Sequence, residues 1–365
     1  MAEGRSREII RGSIGKWNQM SMSNEQLGIK NLEAKSWTFA LAWNKALEQI
    51  EERPMRVRRN LWASELGKAH IDLYLKLNGT PLTNPPNARS LRKFEAGNVF
   101  EWIVSLILKR AGILKEQQKW VSYQYPNLLE VTGKADFIAG GVAKKDDAIE
   151  SISNLGLPNV FIKGGEQILT YLSGLGTLEE MPLEVKSVSV FMFDALEKGG
   201  NASKIHRLQL FHYLKAMNYP KGRIVYICRD DLRMMEFLVQ NPSSVENEYR
   251  TEIEAITGYI NRKERPPLEQ KIVFDPDIRK FAKNFNVAYS GYLTMLYGYE
   301  NQKQFDDEHT PKVARWNRVM ARLKAGAKTT AKNEEVLEEI TKAGYDVDEI
   351  SSKFIDVPIV EEVTD

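Results

Sequence analysis

The chain has 365 residues, 42% hydrophobic and 27% charged, with a net charge of +2, which is globular composition rather than disordered or fibrous. No apolar run approaches the ~18 residues of a membrane span, and the opening MAEGRSREII lacks a secretory apolar stretch. One cysteine, Cys228, excludes a disulfide framework and any cysteine-ligated zinc or iron–sulfur centre. A reducing cytoplasm is the expected location.

Residues 1–60 start polar and then read as helical around Trp37 to Ile50, followed by a basic cluster of Arg53, Arg56, Arg58 and Arg59. The stretch LWASELGKAHIDLYLKLNG predicts a helix with Ser64 as N-cap and Leu66, Ile71, Leu73, Leu75 and Leu77 at helical spacing. Prolines make TPLTNPPN a loop. A long helix is predicted from about Arg89 to Ala111, its apolar stripe formed by Phe94, Val99, Trp102, Ile103, Leu106 and Ile107. YQYPNLLEVTGKADFIAGG then predicts two short strands joined around Gly133. Residues 140–181 read as an irregular insertion with a short helix at Asp146 to Leu155. MPLEVKSVSV predicts a strand, KIHRLQLFHYLKAMN a helix, and GRIVYICRD and MMEFLVQ two further strands. A helix from Ser243 to about Arg262 precedes Pro266-Pro267, and the tail beyond residue 270 reads as helical and polar.

One helix joining the Glu184 strand to the Arg223 strand makes a right-handed βαβ crossover, so the expected fold is an α/β sandwich around one central mixed sheet. Within it, Glu184 and Lys186 are two apart and share one face of their strand. That pair is either a structural ion pair or a metal-binding carboxylate beside a lysine that handles water or phosphate. About one Glu-x-Lys arises by chance in a chain this long, and Glu33-Ala34-Lys35 is a second copy. Asp136, alone among apolar neighbours in GKADFIAG, needs a partner there. Brought beside Glu184 it would repel it, and a divalent cation resolves the repulsion, with oxygen ligation favouring Mg²⁺ or Mn²⁺ over zinc. Gly97 and Glu101 share a helix face, as do Gln209 and Tyr213. The run from Pro311 to Asn333 holds seven basic residues, Arg315, Arg318 and Arg322 among them, and no acid. It is either a polyanion-binding stripe or a solvated helix face.

Taken in order, Gly-x-x-x-Glu on a helix, Gly-x-x-Asp in a strand, Glu-x-Lys in the next strand and Gln-x-x-x-Tyr on the next helix resemble the RecB-like branch of the PD-(D/E)XK nuclease superfamily. The resemblance runs from about Ser64 to Pro267, where SELGKAHIDLYLKLNG and YINRKERPP resemble the family's opening and exit. Glu101 stands where many relatives carry histidine, which is closer to the lambda-exonuclease group. NFNVAYSGY resembles the cluster-binding segment of some relatives with Val287 and Ser290 in cysteine positions, so no cluster is expected.

The resemblance implies a restriction-endonuclease-like three-layer sandwich at 61–270, helical extensions at 1–60 and 271–365, and hydrolysis of DNA, as an exonuclease, in recombination, repair or phage DNA processing. It implies that Asp136, Glu184, the Val185 carbonyl and Glu101 hold Mg²⁺ or Mn²⁺. Lys186 would orient or activate the attacking water. Gln209 and Tyr213 would touch DNA or steady the site, with Ser64, Arg315, Arg318 and Arg322 also on the nucleic acid. A homo-oligomer or a recombination or replication protein is an expected partner. The alternative is a binding protein on the same fold that no longer cleaves.

Overall fold

The computed structural model describes residues 58–143, 159–240, 243–276 and 278–354, with backbone only for 159–166. The expected helices at Trp37 to Ile50 and Asp146 to Leu155, the Arg53 and Arg56 cluster, and the Glu33/Lys35 pair lie outside the described residues. By internal contacts the chain divides into two units, Met1–Pro54 with Asn87–Arg92, and Met55–Pro86 with Lys93–Asp365. Only residues 87–92 of the first are described. They form a helical first turn in which the Asn87 Oδ1 accepts the Ser90 N–H at 2.9 Å.

The second unit begins with β1 (Leu61–Trp62) and a 3₁₀ turn at Ala63–Glu65. Helix α1 (His70–Leu77) follows, so the predicted helix starts later than Ser64. Glu65 turns back to the Trp62 N–H at 3.4 Å and takes two hydrogen bonds from Arg58, which closes the turn on itself. Helix α2 (Ala88–Arg110) then leads into β2 (Leu114–Tyr123) and β3 (Val131–Gly141). β2 is absent from the sequence reading. Its LKEQQKWVSY is largely polar because it lies at the sheet edge, where alternation is not required. β3 is one strand of 11 residues, not two, and Gly133 lies inside it.

The insertion carries helix α3 (Asn159–Gly174). β4 (Leu178–Val188) and β5 (Lys221–Cys228) pair in parallel through a crossover of two helices, α4 (Val190–Gly199) and α5 (Lys204–Met217), where one was expected. The Ser189 side chain caps α4, and Gly200 ends it at φ 66; these cap signals divide what reads as one connection. β6 (Met234–Gln240) and α6 (Ser243–Arg262) match their predicted spans. The tail is not wholly helical. β7 (Ile272–Asp275) and β8 (Lys280–Lys283) form a hairpin before α7 (Phe285–Ala288), α8 (Leu293–Tyr297), α9 (Gln302–Lys324), α10 (Ala331–Lys342) and α11 (Val347–Lys353).

The result is an α/β sandwich with a central six-stranded mixed sheet, order β1-β3-β4-β5-β6 with β2 also on β3. On one face Leu208, Leu210, Phe211 and Leu214 of α5 and Tyr249, Ile253 and Ile256 of α6 pack on Ile224, Tyr226 and Val188. On the other face Val104 and Leu108 of α2 pack on Phe137, Val185, Val225 and Ile227. The predicted stripe of α2 is not the face it buries. Leu106 is buried, but Phe94, Val99, Trp102, Ile103 and Ile107 stay exposed. The helix turns instead on the side where polar partners wait, with Ser105 Oγ donating to Gln117 at 2.9 Å and Glu101 bound by Gln118. A separate apolar cluster joins Ile272 and Phe281 to Trp316, Val319, Met320, Val336 and Ile340.

Candidate active site

The sheet opens at β3. On one side of β3, β1 pairs with it at Val131 and Thr132, and β4 joins only from Phe137 onward. Between these contacts, among the described residues, Gly133 to Asp136 have no ladder partner on that side. The pleat also slips here. Val131 and Ala135 belong to the core under α5, whereas Phe137 and Ala139 belong to the core under α2. Strict alternation would keep all four on one side. The antiparallel register of β3 and β4, Phe137 opposite Leu183, sets Asp136 beside Glu184, and its Oδ2 accepts the Val185 N–H at 2.9 Å in place of a strand carbonyl.

Glu184 and Lys186 therefore face the same side, with the Lys186 Nζ donating to Glu184 Oε1 at 2.5 Å. Glu184 is fully buried, and among the described residues its Oε2 has no hydrogen-bond partner. Burial first, and the Asp136 charge second, push its carboxyl up to about 8. Burial likewise raises Asp136, with Lys186 and the Val185 N–H offsetting part of the rise. Burial would lower Lys186, but Glu184 and Asp136 outweigh it and hold the ammonium charged. Glu101 is raised by burial and then by Asp136, while its hydrogen bond from Gln118 works the other way. Asp136, Glu184, Val185, Lys186 and Glu101 thus form one electrostatic cluster.

α5 backs this cluster. Gln209 Nε2 donates to the Tyr213 hydroxyl at 3.0 Å, and both residues are buried. The Tyr213 hydroxyl is raised by burial and then by the charge of Glu184. Their placement is that of a support under the carboxylates. His206, on the same helix, lies with its Nδ1 2.8 Å from the Tyr226 hydroxyl; burial and then the Lys186 charge depress it to about 3, so it is neutral.

Other expected residues lie apart. Ser64 is exposed on the 3₁₀ turn. Arg315, Arg318 and Arg322 belong to α9, which packs mainly on β8, α10 and α11. The basic run there is less cationic than it reads, because Glu339 of α10 pairs with both Lys312 and Arg315. Gln118 and His206 escaped the sequence reading. Gln118 takes its place through a left-handed backbone, φ 53, that nothing in LKEQQKWVSY signals. Ser290, in an expected cysteine position, instead donates to the buried Asp72 of α1 at 2.8 Å.

No family model matches the chain, and no curated protein matches it. Among solved structures, SSO0001 is similar at 15% identity and TM-score 0.38, over 63% of this chain and 89% of that one. An alkaline exonuclease from Laribacter hongkongensis, LHK-Exo, is similar at 13% identity and TM-score 0.34, over 61% and 93%. The same enzyme in complex with dAMP gives 14% and 0.36, over 58% and 93%.

Proposed function

We propose that this chain is a divalent-metal-dependent nuclease that hydrolyses DNA phosphodiester bonds, as an exonuclease, on a restriction-endonuclease-like core. The observation that carries the reading is Glu184: fully buried, one carboxylate oxygen unpartnered among the described residues, beside a second acid and a lysine. A purely structural ion pair would satisfy both oxygens, since an orphaned buried acceptor costs about 1–3 kcal/mol. The donor set suits a hard cation, because the orphaned Oε2, the Asp136 carboxylate and, by the family pattern, the Val185 carbonyl are all oxygen. Among the described residues no three His, Cys, Asp or Glu side chains converge as a ready cage, so Glu101 is assigned a supporting role here. When bound, Mg²⁺ or Mn²⁺ makes water nucleophilic near neutral pH and offsets charge building on the phosphate.

The chain's own residues then divide the work. Asp136 and Glu184 hold the cation. Lys186, kept charged by both, holds and orients the attacking water or contacts the scissile phosphate. Gln209 and Tyr213 brace the Gly133 segment of β3 against α5 and keep the carboxylates in place.

The test uses end-labelled linear and circular DNA, single- and double-stranded, with and without Mg²⁺ or Mn²⁺. Cleavage of linear DNA that needs the metal and is lost in Asp136→Asn and Glu184→Gln supports the proposal. Metal-independent binding with no cleavage under any condition would leave a protein that only binds DNA.

A further inference from the structure

β3, the strand that carries Asp136, also has an outer surface that the proposed chemistry does not use. Trp62 on β1 and Trp120 on β2 lie on opposite sides of β3, in register with Thr132 and Lys134. Their rings meet edge to face, with centroids 6.4 Å apart at 88°. They remain 43% and 61% exposed, whereas Leu61 beside Trp62 on β1 and Val131 on β3 point inward and are at most 1% exposed. No packing need in the core accounts for two large indoles on the outer side. Each ring carries a cation: the Arg58 guanidinium lies 5.0 Å from the Trp62 centroid, and Lys134 Nζ lies 5.2 Å from that of Trp120. Glu65 holds Arg58 with bonds of 3.1 and 2.9 Å, so its position is set before any ligand arrives. Lys134 precedes Asp136 by about 7 Å of strand, and the Glu101 carboxylate responds to the charges of both.

We propose that Trp62 and Trp120 are a stacking platform for the bases of an unpaired DNA strand, with Arg58 and Lys134 against its phosphates. That the strand runs on to Asp136 and Glu184 rests on the nuclease reading; the platform itself does not. Aromatic faces interleaved with cations are how single-stranded DNA is held without regard to sequence, since every base has a π-face. A peptide or a second copy of the chain would bury the indoles but would leave two cations facing apolar surface, at a desolvation cost. Duplex DNA hides its base faces and offers the platform nothing beyond phosphate.

The experiment is fluorescence anisotropy in EDTA, so that no cleavage intervenes. The probes are a dye-labelled oligo-dT, the same strand made wholly abasic, and a blunt duplex. Trp62→Ala and Trp120→Ala should each weaken oligo-dT binding about tenfold, and Trp120→Phe should restore most of the loss. The wild-type protein should bind the abasic strand about as weakly as the alanine variants bind oligo-dT. Duplex affinity should stay within about twofold in every variant. Alanine variants that bind oligo-dT like the wild type would overturn the platform, as would an abasic strand bound as tightly as oligo-dT by the wild type. The abasic comparison needs no mutant and so survives any folding defect. Base-dependent binding without cleavage in Mg²⁺ would sink the nuclease reading and leave the platform standing. Cleavage with base-independent binding would do the reverse.

Discussion

Tyr213 occupies the space that a side chain at Gly133 would need. A Cβ there would lie 2.9 Å from the Tyr213 ring and 2.9 Å from the Ala63 Cβ. Neither neighbour can retreat, because Tyr213 is held by Gln209 and Ala63 is buried in the 3₁₀ turn. Gly133→Ala should therefore cost about 1–3 kcal/mol of stability, the usual cost of overpacking. Thermal melts of the single variant and of the pair with Tyr213→Leu test this, because the smaller side chain should recover part of the loss. A melt unchanged in Gly133→Ala would show that the contact gives way.

Lys186 sits 2.5 Å from Glu184, so its removal separates two roles. If it orients water or contacts phosphate, Lys186→Ala should bind DNA and metal but cleave about 10²–10³ times more slowly. If it only neutralises Glu184, a saturating cation takes over that task and the rate should stay within a few-fold. Lys35→Ala, in a chance copy of the motif, is the matched control. Single-turnover kinetics at saturating Mg²⁺ decide between the two.

The raised carboxyl of Glu184 makes metal-free stability depend on pH. Its folded value, about 8, lies above the ordinary carboxyl value of 4.5. The folded protein therefore holds a proton that the unfolded chain has released, and ∂ΔG/∂pH is negative between the two values. The melting temperature in EDTA should fall as pH rises from about 5 through about 8. Glu184→Gln should lose most of that slope and melt higher than the wild type at pH 9. Because binding displaces the same proton, Mg²⁺ should raise the melting temperature more at pH 8.5 than at pH 6. A flat profile in the wild type would contradict the buried, protonated carboxyl.

On α9, Arg318 and Arg322 are exposed, while Arg315 is committed to Glu339. If the helix lies along a DNA backbone, Arg318→Ala with Arg322→Ala should reduce the slope of log K against log salt by roughly 1.8, about 0.9 per lost phosphate contact. Arg315→Ala should change it less. Substitution is preferable to truncating the tail, since Trp316, Val319 and Met320 of this helix form the core beneath the β7–β8 hairpin. An unchanged slope in a titration from low to physiological salt would return α9 to an ordinary solvated face.

By itself the sequence determined the parts that local chemistry controls. β5, β6, α5 and α6 stand where alternation and helical spacing put them, because each has one clear apolar face or a buried run. It also marked Asp136 and Glu184 as acids in apolar strands, which is a desolvation argument and needs no neighbours. What it could not express was choice among equivalent faces and the effects of distant partners. α2 has apolar residues on more than one face, and the partners it meets, Phe137, Val185 and Val225 together with Gln117 and Gln118 on a strand too polar to be recognised, set which side turns inward. The pleat slip at Asp136, the gap between β1 and β4, and the meeting of Trp62 with Trp120 across β3 arise from strands far apart in the chain. Periodicity records which face of an element is apolar; where that face points, and which side chain waits opposite, is decided only when the sheet closes around β3.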